Sequence, residues 1–414
     1  MNLIIICSDY PIANKNAESS LLKFQLNSIK KSFEKIILLP TVSLKNKKII
    51  AGLEYEIIDD LRKFRISTLF NFIKNIKLFL KDLQEIKFNK TFFNATFRSF
   101  LVYLKSIIFI TFIEEYFKKE ENKIENTAIY SFWFNDSTFG ALLLKKKYPK
   151  IKILSGAHGH DLFAERHAGN RIPFRKVSVN LIDNVIVCSN EGKQYLEKEY
   201  PKFKNKFKLV NSGISRKKFK VKSSDDGKFR IVTLSRTNPV KRISYLLKTL
   251  KDLESFSDFE IQYYHIGGGL ELKYLIKLSK NLNFKKIKIT FLGKISDLEL
   301  ESFFKKSPID VFLNVSSSEG TCLSLVEAMS YSIPVLVTKV GGNISIGNYC
   351  NTILSSNFNS NQLYNYMYDI HHSKEYREKL KSDSYNYWLK NHNSDTISLK
   401  IKKEFETICF NKSI

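Results

Sequence analysis

At 414 residues, with 43% hydrophobic and 26% charged side chains, the chain is too long for one comfortable core and too apolar to be disordered, so two folded domains are expected. Five scattered cysteines (Cys7, Cys188, Cys322, Cys350, Cys409) form no CxxC pair, which argues against a zinc ribbon or a disulfide framework and fits a reducing compartment. The net charge of +26 is spread over both halves, so no single basic tail accounts for it.

In chain order, the apolar run ending at Cys7 has no basic leader and is cut by Ser8, Asp9 and Pro11, so it reads as a first buried strand rather than a signal peptide. Helical periodicity follows over Ser20–Phe33, then a strand over Ile36–Leu39. Residues 66–120 read as two long amphipathic helices. Within them, Ser99–Phe117 is interrupted by Lys105, and its uncharged stretch from Ser106 to Ile113 is too short to span a bilayer, so no membrane span is expected. Across 61–110, basic residues such as Lys74, Lys77, Lys81 and Arg98 outnumber the acids Asp82 and Glu85 and are interleaved with aromatics.

Strands resume at Ala128–Ser131, Ile151–Leu154 and Val185–Val187, with Asp136 and Ser189 as helix N-caps. The polar segment KSSDDGK, Lys222–Lys228, has the composition of an interdomain connection. A second cycle places strands at Arg230–Leu234, Ile261–Ile266, Ile287–Leu292, Val311–Val315 and Val335–Val337, with a capping box at Ser296 and Glu299. Residues 359–408 read as helices. Alternation of this kind predicts parallel sheets, whose ligands bind beyond the carboxyl ends of the strands.

After Val311–Val315, the text SSSEGTCLSLVEAMSYSIPVLVTKVGG puts Glu319 in a turn and Glu327 on the following helix. Two carboxylates can then accept hydroxyls of one ligand, while backbone amides at Gly320 and Thr321 face an anion. Glu319 as a solvated loop acid and Glu327 as a surface helix acid remain the plainer alternative. A guanidinium at Arg236 and an ammonium at Lys241, five residues on, suit a diphosphate, though such charges taken alone are more often solvated surface groups.

The segment EGTCLSLVEAMSYSIPV resembles the E-x7-E motif of glycosyltransferase family 4, the retaining GT-B enzymes, and LSR with Lys241 resembles that family's diphosphate-binding pair. HIGGGLELKYL and ITFLGKIS resemble its glycine turn and nucleobase-side element. SFWFNDSTFGALLLKKKYP, SGAHGHDLFAERHAGNRIPFRK and VCSNEGKQYL resemble the branch that builds colanic-acid-like exopolysaccharides, capsules and O-antigens. The resemblance implies an α/β GT-B fold of two Rossmann-like domains with parallel sheets facing across a cleft, followed by C-terminal helices. Residues 1–222 would bind the acceptor and 223–390 the nucleotide sugar, with a helix over 391–414 able to pack back on the first domain.

By the same resemblance, His158, Arg236, Lys241 and Glu319 are the catalytic candidates. The donor would also meet Gly267, Lys294, Ile295, Gly320, Thr321, Cys322, Leu323 and Glu327, with Glu319 on the sugar and Glu327 on the ribose. Glu18, His160, Asp161 and Arg166 are acceptor-side candidates. Two departures stand out: no glycine follows the first strand, and Ser332 replaces the usual glycine before the Pro-Val strand. Three close histidines, His158, His160 and His167, raise a metal site, but their spacing lacks a fixed helix or a cysteine partner, and no DxD triplet occurs.

The function these readings imply is retaining transfer of a hexose-type sugar, with no cofactor, from a UDP- or GDP-linked donor to a saccharide acceptor. The acceptor is expected to be polyprenyl-diphosphate-linked, in bacterial surface polysaccharide synthesis on the cytoplasmic face of the membrane. The basic 61–110 stretch would rest on anionic lipid, or be simply a solvated face. A GT-B sugar-nucleotide epimerase, a transferase-like scaffold and a basic nucleic-acid binder are the rivals, the diffuse charge arguing against the last.

Overall fold

The computed structural model describes residues 1–8, 10–12, 17–45, 47–50, 54–58, 66–119, 124–215, 217 and 219–410. Arg62, Lys63 and Arg65 of the basic stretch, and part of SDYPIANKNAESS, lie outside the described residues. The chain divides into two compact units, Met1–Asn211 with Ser398–Ile414, and Ser212–Ile397.

The first unit opens with β1 (Asn2–Cys7), α1 (Ala17–Ile29), β2 (Lys35–Pro40) and β3 (Glu56–Ile57). Two long helices follow, α2 (Ile66–Gln84) and α3 (Phe92–Lys119), then β4 (Thr127–Ser131), α4 (Asp136–Leu142) and β5 (Lys152–Ala157). It continues with α5 (Arg175–Leu181), β6 (Asn184–Val187), α6 (Asn190–Glu199) and β7 (Phe207–Leu209). The seven strands form one parallel sheet in the order β3-β2-β1-β4-β5-β6-β7. Leu3 to Cys7 are all buried because helices cover both faces, the arrangement that lets a parallel strand be apolar at every position.

In the second unit come β8 (Lys228–Leu234), α7 (Ile243–Leu253), β9 (Glu260–Ile266), α8 (Leu272–Asn281) and β10 (Ile287–Gly293). Next are α9 (Asp297–Lys306), β11 (Val311–Asn314), α10 (Leu323–Ser330), β12 (Val335–Thr338), α11 (Asn343–Cys350) and β13 (Ile353–Leu354). Three helices finish the chain: α12 (Ser360–His372), α13 (Lys374–Asn391) and α14 (Ser394–Phe410). This sheet is also parallel, in the order β10-β9-β8-β11-β12-β13. In each sheet the order reverses beside the first strand, between β1 and β4 and between β8 and β11. A crevice opens beyond the carboxyl ends of the strands at such a switch point.

The expected strands all form. The three that the sequence did not announce, β3, β7 and β13, are two or three residues long and lie at sheet edges, too short for a periodic signal. Asp136 is the first residue of α4 rather than its cap. Asn135 is the cap, its side chain accepting from Ser137 N, because the Asn135 backbone is extended while Asp136 is already helical. Ser189 and the Ser296–Glu299 capping box cap α6 and α9 as expected.

KSSDDGK is built into the second unit rather than joining two. Asp310 accepts from Ser224 N (2.8 Å), Ser224 Oγ (2.6 Å) and Arg230 N (2.8 Å), and Arg230 reaches back to Asp226 at 2.6 Å. The segment before it is held as well, since Ile214 N donates to His392 O and Trp388 Nε1 to Ile214 O.

α2 turns a mixed face inward, Phe72, Ile76 and Phe79 packing against the core beside buried polar residues. Thr68, Asn71, Asn75 and Asp82 are buried, while Ile66, Leu69, Phe70, Ile73 and Leu80 are exposed. Most inward polar groups find partners: Asn71 Nδ2 donates to Thr111 Oγ1 (3.1 Å) and Glu114 Oε2 (3.0 Å), Lys146 Nζ to Asn75 Oδ1 (2.7 Å) and Arg171 Nη2 to Asp82 Oδ1 (2.6 Å), while Asp82 Oδ2 is buried without one. α3 is long and apolar enough to cross a membrane by length and composition, and half of that window is buried in the unit. Tyr103, Ile107, Ile110 and Ile113 belong to the core there, which makes α3 the central helix of the unit.

From Ser398 onward, α14 belongs to the first unit. Phe405 packs edge-on against Tyr130 (5.0 Å) and Phe33 (6.4 Å), and Ser32 Oγ donates to Glu406 Oε1 at 2.8 Å. Phe405→Ala should therefore lower the stability of the first unit by about 3–5 kcal/mol, read as an earlier transition in urea followed by circular dichroism. An unchanged transition would show that this helix does not hold the unit together.

Candidate functional site

Each unit gathers polar side chains at the carboxyl edge of its own sheet. In the second unit the centre is Glu319, in the turn after β11 and nine-tenths buried. Its Oε1 receives Lys241 Nζ at 2.5 Å, Ser316 Oγ at 2.6 Å and Asn314 Nδ2 at 3.1 Å. Oε2 carries no hydrogen bond among the described residues and is free to accept one from a ligand hydroxyl.

Lys241 closes a short turn after β8, Pro239–Lys241, whose cap Asn238 accepts from Lys241 N. The next residue, Arg242, is left-handed (φ 51°) and sends Nε to Val315 O at 2.7 Å. Ser317 N donates to Val240 O at 2.8 Å. Together these bonds tie the loop after β8 to the loop after β11, across the switch point. Arg236, in the same loop, is exposed and makes no hydrogen bond or ion pair among the described residues, so its five donors are available to an anion.

Two glycines let neighbouring loops close on this centre. Gly341, in the turn after β12, has φ +44°, and a Cβ there would lie 2.0 Å from the Glu319 carbonyl oxygen. Gly267, after β9, has φ +133°, and its Cβ would lie 1.9 Å from Ser235 O. Any side chain at either position would force the backbones apart. Gly320, Thr321 and Cys322 lead into α10, which starts at Leu323 without a side-chain cap, so its first amides lack helical partners.

Glu327 lies on α10 and does not meet Glu319's partners. Its Oε1 is bound by Lys217 Nζ at 2.7 Å, and that ammonium also sits 5.0 Å over the Tyr331 ring. Lys294 is exposed and Ile295 half-buried in the turn after β10.

In the first unit, His158 follows β5. Its ring stacks on Phe132 at 4.4 Å, and Nε2 lies 3.1 Å from Phe132 O. A carbonyl only accepts, so that nitrogen carries the proton. Burial pushes the imidazole below the usual histidine range, so the ring is neutral at neutral pH.

Asp161 and Glu18 hold loops through backbone and indole N–H groups. Asp161 Oδ1 accepts from His158 N (2.9 Å) and Gly159 N (3.0 Å), and Oδ2 from Phe134 N (2.9 Å). Glu18 Oε1 accepts from Ser8 N and Oε2 from Trp133 Nε1, both at 2.6 Å. These two acids position the loops after β1, β4 and β5. His160 is exposed and stacked on His167 (4.5 Å, 12°), while Arg166 lies over the Phe163 ring. Among the described residues no three His, Cys, Asp or Glu side chains are grouped to hold a metal ion.

Sequence reasoning did not single out Asn314, Ser316, Lys217, Trp133 or Arg175, and it read Arg98 only as part of the basic 61–110 stretch. Asn314 ends β11, and a polar residue closing an apolar parallel strand was an available signal. The others become neighbours only through tertiary contact.

Residues 214–387 match the family Glycosyl transferases group 1, so the second unit carries a domain of that group. The chain is 25% identical over 223 residues to protein CapJ of Staphylococcus aureus, covering 53% of this chain and 49% of that protein, about half its length. Among solved structures, the lipopolysaccharide outer core galactosyltransferase WaaB superposes with a TM-score of 0.70 at 14% identity over 100% of both chains. Anabaena HepE, in complex with UDP and glucose, superposes with a TM-score of 0.63 at 14% identity over 98% of this chain and 100% of that one. The fold is thus GT-B: two parallel-sheet α/β domains with a helical C-terminus.

His265, on β9 beneath the second site, is fully buried. Its Nδ1 lies 2.8 Å from Thr233 Oγ1, Nε2 has no partner, and burial pushes its pKa down to about 4. In the unfolded chain it titrates at about 6.5. As pH falls from 6.5 to 4 the unfolded state binds a proton that the folded state refuses, so stability present above 6.5 is lost across that window. The loss should be on the order of 3 kcal/mol, and His265→Gln should flatten that part of the pH profile of the unfolding midpoint. Equal slopes in the two proteins would contradict this.

Proposed function

We propose that this protein is a retaining glycosyltransferase that moves a hexose-type sugar from a UDP- or GDP-linked donor to a saccharide acceptor in bacterial surface polysaccharide synthesis. The observation that carries the reading is the Lys241–Glu319 pair at the switch point of the second sheet, inside the group 1 glycosyltransferase domain. A second support is the GT-B likeness to a protein solved with UDP and glucose.

In the proposed reaction the bond between the sugar's anomeric carbon and the diphosphate oxygen breaks. A bond forms on the same face to the acceptor hydroxyl oxygen, and the hydroxyl proton leaves with the diphosphate. The charge that builds on the leaving group is the main problem to solve, and preorganised cations aimed at it are the most effective help a site can give. Arg236 and Lys241 fill that role without a metal cofactor. Lys241 is held by Glu319 until the diphosphate competes for its ammonium, and Arg236 is unengaged. Glu319 Oε2 then accepts from the donor sugar, Glu327 from the ribose, and the Gly320–Leu323 amides face the phosphates. Gly267 and the Lys294–Ile295 backbone border the nucleotide. His158 keeps the role its resemblance implies, contact with the transferred sugar, while Glu18 and Asp161 position the acceptor-side loops that carry His160 and Arg166.

Removing either member of the pair should cost transfer about 10²–10³-fold. Glu319→Ala and Lys241→Ala, checked for native circular dichroism, should show this with a panel of UDP- and GDP-sugars. Full activity in either variant would remove the site assignment, whereas turnover without any acceptor, giving an altered sugar, would make the protein an epimerase.

We also propose that the acceptor is linked to a lipid and that the protein works on the cytoplasmic face of the membrane. α2 turns Ile66, Leu69, Phe70, Ile73 and Leu80 outward beside exposed Lys74, Lys77 and Lys81, the pairing an anionic bilayer surface requires. Binding to vesicles containing phosphatidylglycerol should fall with salt, and by about a hundredfold or more in the triple Lys74→Glu, Lys77→Glu, Lys81→Glu variant. Vesicle binding that ignores both would end this part of the reading.

A further inference from the structure

We propose that the first unit binds a sugar phosphate in the cavity walled by α3, the loop after β4 and the segment between β5 and α5. The inference rests on the transferase reading and gives the chemical class of its acceptor: a saccharide with a phosphate close to its hydroxyls.

The cavity encloses about 410 Å³, the size of a small-ligand site. Its polar wall is short of partners in a specific pattern. Arg175 is 6% exposed; its Nη2 donates to Phe134 O (2.7 Å) and to Asp161 O, and its Nη1 has no partner. Arg98, half-buried on α3, makes no hydrogen bond or ion pair among the described residues. Lys105 meets Asp136 only at 3.7 Å. The other acid in the wall, Asp161, is spent on three backbone amides. Three cations therefore face two carboxylates, Asp136 and Asp161, neither of which hydrogen-bonds Arg98 or the Nη1 of Arg175, an arrangement with donors and one positive charge to spare for an oxyanion.

His167 supplies the complementary half. It is 8% exposed, and its Nε2 lies 2.5 Å from His160 O, which fixes the proton on Nε2. Nδ1 is then a bare acceptor, and it has no partner. A fully ionised phosphoryl group has nothing to donate to it, but a sugar hydroxyl does. Trp133, Ile172 and Pro173 add apolar surface suited to the carbon face of a sugar ring.

A soluble sugar phosphate and a saccharide joined through phosphate to a lipid present the same head. Leu101 lines the cavity and is exposed, and Phe97 and Phe100 on the same helix are exposed too, which favours a ligand with an alkyl tail.

The test uses the full chain with no nucleotide sugar and reads tryptophan fluorescence. Trp133 lines the cavity, whereas Trp388 is fully buried in the other unit. Glucose 1-phosphate should give a saturable change, methyl α-glucoside and inorganic phosphate should bind more weakly, and Arg98→Gln should weaken the sugar phosphate about tenfold or more. Lys241→Ala should leave this titration unchanged. Tighter binding of the decyl phosphodiester of glucose supports the lipid-linked source, and equal binding supports the soluble one. Equal affinity for methyl α-glucoside, no saturable change, or indifference to Arg98→Gln would overturn the inference. Because no transfer is measured, these failures stand apart from failure of the donor site, which appears instead as loss of Lys241-dependent UDP binding.

Discussion

The second unit is organised around one carboxylate oxygen. Glu319 Oε1 takes bonds from an ammonium, a hydroxyl and an amide that arrive from three points: the turn after β8, the turn after β11 and the end of β11. Nearly buried, it would be an unpaired buried carboxylate without such partners. The loops it joins lie across the one place in the sheet where neighbouring crossovers diverge, so the bond that stabilises the edge also fixes the site. Leaving Oε2 without a partner turns a structural acid into a binding group.

The first unit reaches a similar end by a different route. Asp161 draws the loops after β4 and β5 together through backbone amides, and Arg175 reinforces the joint from below by donating to two carbonyls. Glu18 does the same between β1 and Trp133. The groups at this edge without a hydrogen-bond partner among the described residues are Arg98, the second nitrogen of Arg175 and one nitrogen of His167. α2 fits the same logic. Its buried asparagines and Asp82 are held by hydrogen bonds to α3, Lys146 and Arg171, while Phe72, Ile76 and Phe79 pack on the core and a second set of apolar side chains stays outside.

Local signals carried much of the fold. Strand runs such as Leu3–Cys7 and Val335–Val337 are apolar at every position because both faces are covered, and that pattern is visible without coordinates. Capping residues marked α6 and α9, since a cap is a contact over three residues. Asn135 and Asp136 were confused because adjacent polar residues both suit a helix start, and only the backbone angles separate them. KSSDDGK looked like a connection by composition, but Asp310, eighty residues away, supplies the partner that makes it part of a domain.

For the site, sequence determined that Glu319 follows a strand and that Lys241 follows another, because motif spacing is a property of the chain. It also determined that Glu327 lies on the next helix. Tertiary structure alone decided which of these meet. Lys241 joins Glu319, whereas Glu327 is held by Lys217, a residue more than a hundred positions earlier. It decided as well that Glu18 and Asp161 are anchors and that Arg98, His167 and Arg175 share a cavity. The reason is physical: a side chain's donors and acceptors are known from its type, but whether they are already spent depends on neighbours that only folding brings within hydrogen-bond reach.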